Sequence, residues 1–281
     1  MSSADFDLWI EAGRTEKNYW RDLWRYRDLF LILAWRDVAV RYKQTVAGVV
    51  WAIVQPAATV AVMTLTFSTI AGLPSDGESP YSLMVLSALL PWQFFANTLS
   101  SGCQSIISNA SLVSKIYFPR LIIPCSSFLV SLMDFLIAGL ILAGLMVWYQ
   151  FWPGWRLLAL PALVVLAILA ALGPALIATA LTVRYRDFRF IIPLVLQIGL
   201  FVSPVAYSGS LVREKLGEAW YQLYSLNPMV GVIEGFRWSI LGTTAPLDWK
   251  AFGISTLIAA SLCVGGILYF RRTERDFADV V

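Results

Sequence analysis

Apolar and polar positions divide this chain into long apolar runs separated by short charged stretches. The sharpest boundary lies in WRDVAVRYKQTVAGVVWAIVQP (35–56), where charges are dense up to Lys43 and none follows until Asp76. A helix that crosses a bilayer needs about 20 mostly apolar residues. Six stretches qualify: Val49–Leu73, Tyr81–Ser101, Leu121–Tyr149, Leu157–Val183, Phe190–Tyr207 and Ala251–Phe270. The fifth is short, with Pro193 and Pro204 marking its two ends. Upstream, Trp20–Tyr42 alternates charge with only seven consecutive apolar residues, Leu29–Trp35, too few to cross. It predicts an amphipathic helix lying in the membrane interface, with Trp20, Trp24 and Trp35 at headgroup depth. Trp220–Leu241 is apolar but contains Asn227-Pro228, Glu234 and Arg237. It predicts two short helices broken at Asn227-Pro228 that re-enter the outer leaflet between spans five and six. Backbone of that kind is tolerated at depth only against protein or a water-filled cavity. The expected fold is an all-α polytopic membrane protein with six transmembrane helices. Its parts are an N-terminal segment (1–48), a six-span domain (49–270) and a tail (271–281).

Composition agrees: the chain is 58% hydrophobic and 14% charged, with mean hydropathy +0.69, more apolar surface than a soluble domain of this length can hide. The placement of charge sets the orientation. Of 21 Lys and Arg, sixteen fall in the N-terminal segment, the second-to-third and fourth-to-fifth loops and the tail; five fall on the other side. The positive-inside rule then places both termini in the cytoplasm. Residues 1–20 carry Asp5, Asp7, Glu11 and Glu16 and no apolar run, so no cleavable signal peptide is expected. A net charge of +3 is too small to point to nucleic acid. The chain has no histidine, and Cys103, Cys125 and Cys263 are far apart, so no metal site is expected and the thiols should be free.

No glycine precedes a lysine, so there is no phosphate loop, and GxSxG and HExxH are absent. One acidic residue, Asp134, lies inside a span. A proton-driven carrier usually needs several. The chain has a pathway without an engine, which points to a partner as the energy source.

Seven motifs then match a known family in order: WRDVAVRYKQTVAGVVWAIVQP (35–56), LLPWQFF (89–95), NASLVSKIYFPRLIIP (109–124), VRYRDFRFIIP (183–193), FVSPVAY (201–207), LNPMVGVIEGFRW (226–238) and FADVV (277–281). The chain resembles the membrane (permease) subunit of type 2 ABC exporters of lipid-linked polysaccharide, such as O-antigen, capsule and teichoic acid. That resemblance implies a bacterial inner-membrane homodimer with two copies of a separate cytoplasmic ABC ATPase. ATP and Mg would sit on that partner, leaving this chain without cofactor or catalytic residue. The substrate would be an undecaprenyl-linked polysaccharide. It also implies that the surface helix and the second-to-third loop touch the ATPase, and that the two outer helices gate the exit.

Asn109–Arg120 is the candidate coupling element. It includes Ser114; Lys115 and Arg120 mark it cytoplasmic, Tyr117-Phe118 form an aromatic knob able to fill a groove on the ATPase, and Pro119 ends the short helix. The plainer alternative is a loop with interfacial aromatics. Trp35, Arg36, Asp37, Arg41, Tyr42 and Lys43 anchor the surface helix. Arg36 and Asp37, being neighbours, should diverge toward lipid phosphate and partner, with Arg36, Arg41 and Lys43 the candidate phosphate contacts. Asp134, about 20 Å into the third span, should lie past mid-membrane facing another helix or the pathway. Pro204, Tyr207, Tyr224, Asn227, Pro228, Glu234, Arg237 and Trp238 form the candidate outer gate, with Glu234 and Arg237 able to pair at i,i+3. The other outer aromatics, Trp152, Trp155, Trp220, Tyr221 and Trp249, read as an interfacial belt or as rings lining a sugar path. Arg271, Arg272 and Arg275 read as a stop anchor. The rival readings are a type 2 ABC permease for drugs or lipids, and a membrane enzyme acting on lipid-linked sugars. The latter would need clustered carboxylates, and those here are scattered.

Overall fold

The computed structural model describes residues 19–43, 48–75, 77, 79–242 and 247–277, and every regular element among them is helical. The expectations for residues 1–18, and most of the terminal FADVV, fall outside them. The predicted surface helix is two helices meeting at Tyr26, α1 (Tyr19–Arg25) and α2 (Arg27–Lys43). Then follow α3 (Gly48–Met63), continued by a π-helical stretch over Thr64–Ile70, and α4 (Tyr81–Ser108). After α5 (Ala110–Lys115) come α6 (Ile122–Trp148), α7 (Leu160–Arg184) and α8 (Phe188–Val202). The chain ends with α9 (Gly209–Leu216), α10 (Glu218–Tyr224), α11 (Pro228–Leu241) and α12 (Trp249–Thr273).

Among the described residues, five helical stretches are long and apolar enough to cross a membrane: Val50–Ile70, Tyr81–Ser108, Ile122–Trp148, Trp155–Arg184 and Trp249–Asp276. The fifth predicted segment differs from expectation. Its helix has 15 residues, about 22 Å at about 1.5 Å per residue, less than the roughly 30 Å hydrocarbon core. Pro193 lies inside α8 instead of opening it, and the chain leaves the helix after Val202, ahead of Pro204. A helix can keep a proline where neighbouring helices re-satisfy the freed backbone groups. Pro56, Pro91 and Pro174 sit inside helices in the same way.

α4 is the spine. Its first turns, Leu83–Leu90, are almost fully buried among α6, α7 and α11, because its apolar residues run all round the helix instead of along one stripe. α7 and α12 cross in backbone contact. A Cβ on Gly173 would lie 2.3 Å from Leu262 O, and one on Gly266 would lie 2.4 Å from Gly173 O. Only glycine permits that approach, and small residues are how apolar helices gain close packing in lipid.

Two ends can be distinguished. At one, the foot, Tyr19, Leu33, Ile106, Phe118, Ile122, Val183, Phe270 and Phe277 form one apolar cluster. It joins the first and last described helices. At the other, the head, Tyr81 Oη donates to Ala206 O, and Asn227 Nδ2 donates to Ser203 Oγ at 3.0 Å.

Candidate functional site

The candidate residues gather at three levels: the foot, the middle of α6, and the head.

At the foot, α5 stops at Lys115, where Ile116 turns extended, four residues before Pro119. Pro119 is therefore not the helix terminator. The expected aromatic knob is split. Tyr117 is 47% exposed while Phe118 is 4% exposed, packed inside the foot cluster beside Val113 and Ile122. The outward surface is Ser114, Lys115, Ile116 and Tyr117. Pro119 is buried, and Arg120 turns back to donate from Nη1 to the carbonyl of Glu274 and, at 3.5 Å, to that of Arg275. The tail is thus more than a stop anchor. Tyr19 Oη donates to Glu274 Oε2 at 2.9 Å, Arg271 lies 4.4 Å over the Tyr19 ring, and Phe277 packs edge-on against Phe270 at 5.4 Å. Burial, followed by the Glu274 carboxylate, pushes the Tyr19 phenol above its usual pKa, so it stays a donor.

Along α2, Arg36, Asp37 and Arg41 lie differently from expectation. Arg36 and Asp37 do not diverge: Arg36 Nη2 meets Asp37 Oδ1 at 2.7 Å and also donates to Asn109 Oδ1 at 2.8 Å. An arginine side chain is long enough to fold back over its neighbour, which a count of backbone angles does not show. Asp134 occupies the middle of α6, where Arg41 Nη2 reaches its Oδ2 at 2.6 Å, Tyr42 Oη donates to its Oδ1, and Asn97 Nδ2 donates at 3.3 Å. So the C-terminal end of α2 climbs along α6, and Arg41 is held by a carboxylate at mid-helix. A lone carboxylate at that depth costs about 2.5–3.5 kcal/mol on insertion scales, which these three partners offset. Trp35 and Lys43 remain at the surface, with Lys43 Nζ 6.0 Å from the Trp35 ring.

At the head, the break falls at Asn227-Pro228. The Asn227 side chain accepts from Met229 N at 3.0 Å and Pro228 is the first helical residue, an N-cap signal readable in sequence. α9, capped by Ser208, is a further short helix that the periodicity did not reveal. α11 is inside the protein: Gly231 and Gly235 have no room for a Cβ against Ser255 and Leu163. Arg237, 1% exposed, donates to Val205 O and Tyr207 O, each at 2.8 Å. Glu234 lies 3.7 Å from Arg237 Nη1 and accepts from Gly209 N at 2.9 Å. The two residues do more than pair with each other; together they hold the 203–209 turn, with Pro204 buried in it. Tyr207 and Tyr224 hydroxyls meet at 3.2 Å, and Tyr207 Oη also reaches Phe201 O at 2.9 Å. Trp238 has Arg156 over its ring at 5.2 Å and packs edge-on to Trp249. Tyr221 is buried and leaves the expected belt, whereas Trp152, Trp155, Trp220 and Trp249 are exposed. Nothing in the sequence pattern signalled that Arg237 would bind carbonyls some 30 residues away.

The described residues form an outward surface at one end and a braced turn at the other. Residues 28–241 match the family model described as ABC-2 type transporter. The chain is 27% identical over 217 residues to the O-antigen export system permease protein RfbA of Myxococcus xanthus, covering 77% of this chain and 82% of that protein. It is 25% and 23% identical to two proteins of that same name from Klebsiella pneumoniae, each over 90% of this chain and 95% of the relative. A match across most of the chain, on a bundle of long apolar helices, makes it a member of the ABC-2 type transporter family, whose members are membrane permease subunits.

Proposed function

We propose that this chain is the membrane subunit of an ATP-driven exporter of a lipid-linked polysaccharide, an undecaprenyl-linked glycan of O-antigen type. It works as a homodimer in the bacterial inner membrane, driven by two copies of a separate cytoplasmic ABC ATPase that carries the ATP and Mg. The observation that carries this reading is the similarity to O-antigen export permeases over 77–90% of the chain.

The geometry supports a six-pass route with the foot in the cytoplasm. α3 follows α2 and runs to Val60 and Met63 beside the α4 start, α4 returns from Tyr81 at the head to Ile106 in the foot cluster, and α6 and α7 repeat the excursion. α8 then departs from the foot, and by Ala206 the chain is beside Tyr81 at the head, so this short helix with its following turn serves as the fifth pass. α12 brings the chain back to Phe270 in the foot. Residues 1–48 then form the cytoplasmic segment, 49–270 the six-span domain and 271–281 the tail. The mostly exposed Val50–Ile70 stretch and the apolar outward face of α8 (Phe190, Leu194, Ile198, Phe201) are the surfaces a second copy would cover.

Ser114, Lys115, Ile116 and Tyr117 are the contact for the ATPase. Displacement of that surface passes through Phe118 into the foot cluster and through Arg120 into the end of α12. Trp35 anchors α2 at the lipid surface, and the Arg237-braced turn forms the outer gate. The test is reconstitution of the chain with its ABC ATPase partner in liposomes loaded with undecaprenyl-linked glycan. ATP-dependent appearance of glycan on the far side, with no movement of labelled phospholipid or of a lipophilic drug, is expected. ATP-driven movement of the phospholipid or drug in place of the glycan would move the chain to the rival permease class.

A further inference from the structure

A cavity of about 190 Å³ lies in the head between α9, α10, α11 and the start of α12. At roughly 30 Å³ per water it has room for about six waters. It is smaller than the roughly 300–1,000 Å³ of sites for drug-sized ligands, so it suits one ring. Arg213, with half of its side chain exposed, stands at the mouth, while Tyr221 and Arg237 are buried in the interior.

The charges lining this cavity are matched. Arg213 meets Asp248 at 3.2 Å and Arg237 meets Glu234 at 3.7 Å, while Glu218, outside the lining, also reaches Arg213 at 2.5 Å. A ligand with its own net charge would have to break a pair to gain one. The polar atoms are also held in place. Asp248 Oδ1 accepts from Lys250 N and Ala251 N at 3.0 and 3.1 Å, which caps α12 and fixes the carboxylate. Glu234 is fixed by Gly209 N, and the Ser208 and Ser210 hydroxyls meet at 2.8 Å. Burial, then the carboxylates of Glu234 and Asp248, push the Tyr221 phenol above its usual pKa and keep it protonated. The lining therefore offers carboxylate acceptors, a phenol donor and a guanidinium donor in fixed positions, beside the aromatic rings of Trp238 and Phe252.

We infer that this cavity is a binding site for one uncharged sugar ring, seated against Trp238 and Phe252 with its hydroxyls shared among Asp248, Glu234, Tyr221 and Arg213. A pyranose presents both a C–H face for an aromatic wall and a rim of hydroxyls for fixed donors and acceptors, and it carries no charge. The choice of a sugar over another neutral polyol rests on the glycan-export reading. The site gives each protomer a foothold for the emerging chain on the outer side. Pre-organised polar groups lose little entropy on binding, which suits repeated weak capture of a moving polymer.

The test uses the full-length chain with its ATPase partner in lipid nanodiscs, probed by saturation-transfer NMR with the methyl glycosides of glucose, galactose, mannose, rhamnose and N-acetylglucosamine. Inorganic phosphate and methylammonium serve as charged probes. Saturable binding of at least one glycoside is expected, weakened about five- to tenfold by Tyr221→Phe, the loss of one hydrogen bond, and abolished by Ser210→Trp, which fills the exposed mouth. Neither charged probe should compete. No saturable glycoside signal, binding unchanged in both variants, or equal binding of phosphate or methylammonium would overturn the site. ATP-dependent glycan export measured on the same preparation separates the two readings. Export without any glycoside binding removes the site alone. Variant-sensitive glycoside binding in a complex that exports no glycan removes the export reading and leaves the site.

Discussion

The foot and the head are each tied by an arginine that donates to backbone carbonyls far away in sequence, yet the ties differ in kind. Arg237 is sealed in α11, with both carbonyls at 2.8 Å and Glu234 beside it. Arg120 is only partly buried and fastens a loop to the chain's last described turn, on top of an aromatic cluster. The head is a closed polar bracket. The foot is an apolar joint with one face, Ser114–Tyr117, turned outward. A bracket holds a turn in one shape, whereas a joint with an open face can receive and pass on movement.

The largest effect should come from breaking the bracket. Arg237→Met leaves two carbonyls without their donor and Glu234 without its counter-charge inside the protein, a loss of about 3–5 kcal/mol. Thermal unfolding in detergent reads it, and Arg237→Lys should restore little, because one ammonium cannot span both carbonyls. A mild effect would mean that the head is not braced in this way.

The foot is tested by splitting its two aromatics. Phe118→Ala should cost about 3 kcal/mol or more through the cavity it leaves, while Tyr117→Ala should cost about 1 kcal/mol or less as a surface change. Equal losses of stability would contradict the division into core and contact surface. A smaller effect is expected at the tie itself. Arg120→Ala should cost about 1.5 kcal/mol and free the tail, seen as faster proteolysis after Thr273 with the rest of the bundle intact.

The smallest effect concerns Tyr19. Its phenol is raised in the folded protein, so the bond to Glu274 contributes below the unfolded pKa of about 10 and is lost as pH rises beyond it. Wild type should exceed Tyr19→Phe by about 1 kcal/mol from neutral pH to about 9, and the gap should close at higher pH. A gap that stays constant above pH 10 would show that Tyr19 acts through packing alone.

Much of this was legible in the sequence, for reasons that also mark its limits. Long apolar runs bounded by charge locate α4, α6, α7 and α12 because a helix in lipid must satisfy its own backbone. The Asn227-Pro228 pair signals a helix start through cap chemistry. Prolines misled at Pro193, since a break rule drawn from water overstates their effect where neighbouring helices repair the backbone. α9 escaped notice because eight residues with Arg213, Glu214 and Lys215 carry no apolar periodicity. Partners distant in sequence could not be read at all. The reach of Arg41 to Asp134, of Arg237 to Val205, and of Arg120 to the tail depends on which helices are neighbours. So does the fate of Phe118, whose side was decided by the cluster under it.

The central claim is that a separate ATPase drives glycan export through the outward face at Ser114–Tyr117. The most direct measurement is ATP hydrolysis and glycan export together, in liposomes carrying the assembled complex with Tyr117→Ala in the permease. The account predicts that the ATPase still associates and still hydrolyses ATP, while glycan export per ATP falls by at least about tenfold. Export per ATP equal to wild type, or an ATPase that binds the complex without any contact to this face, would contradict it.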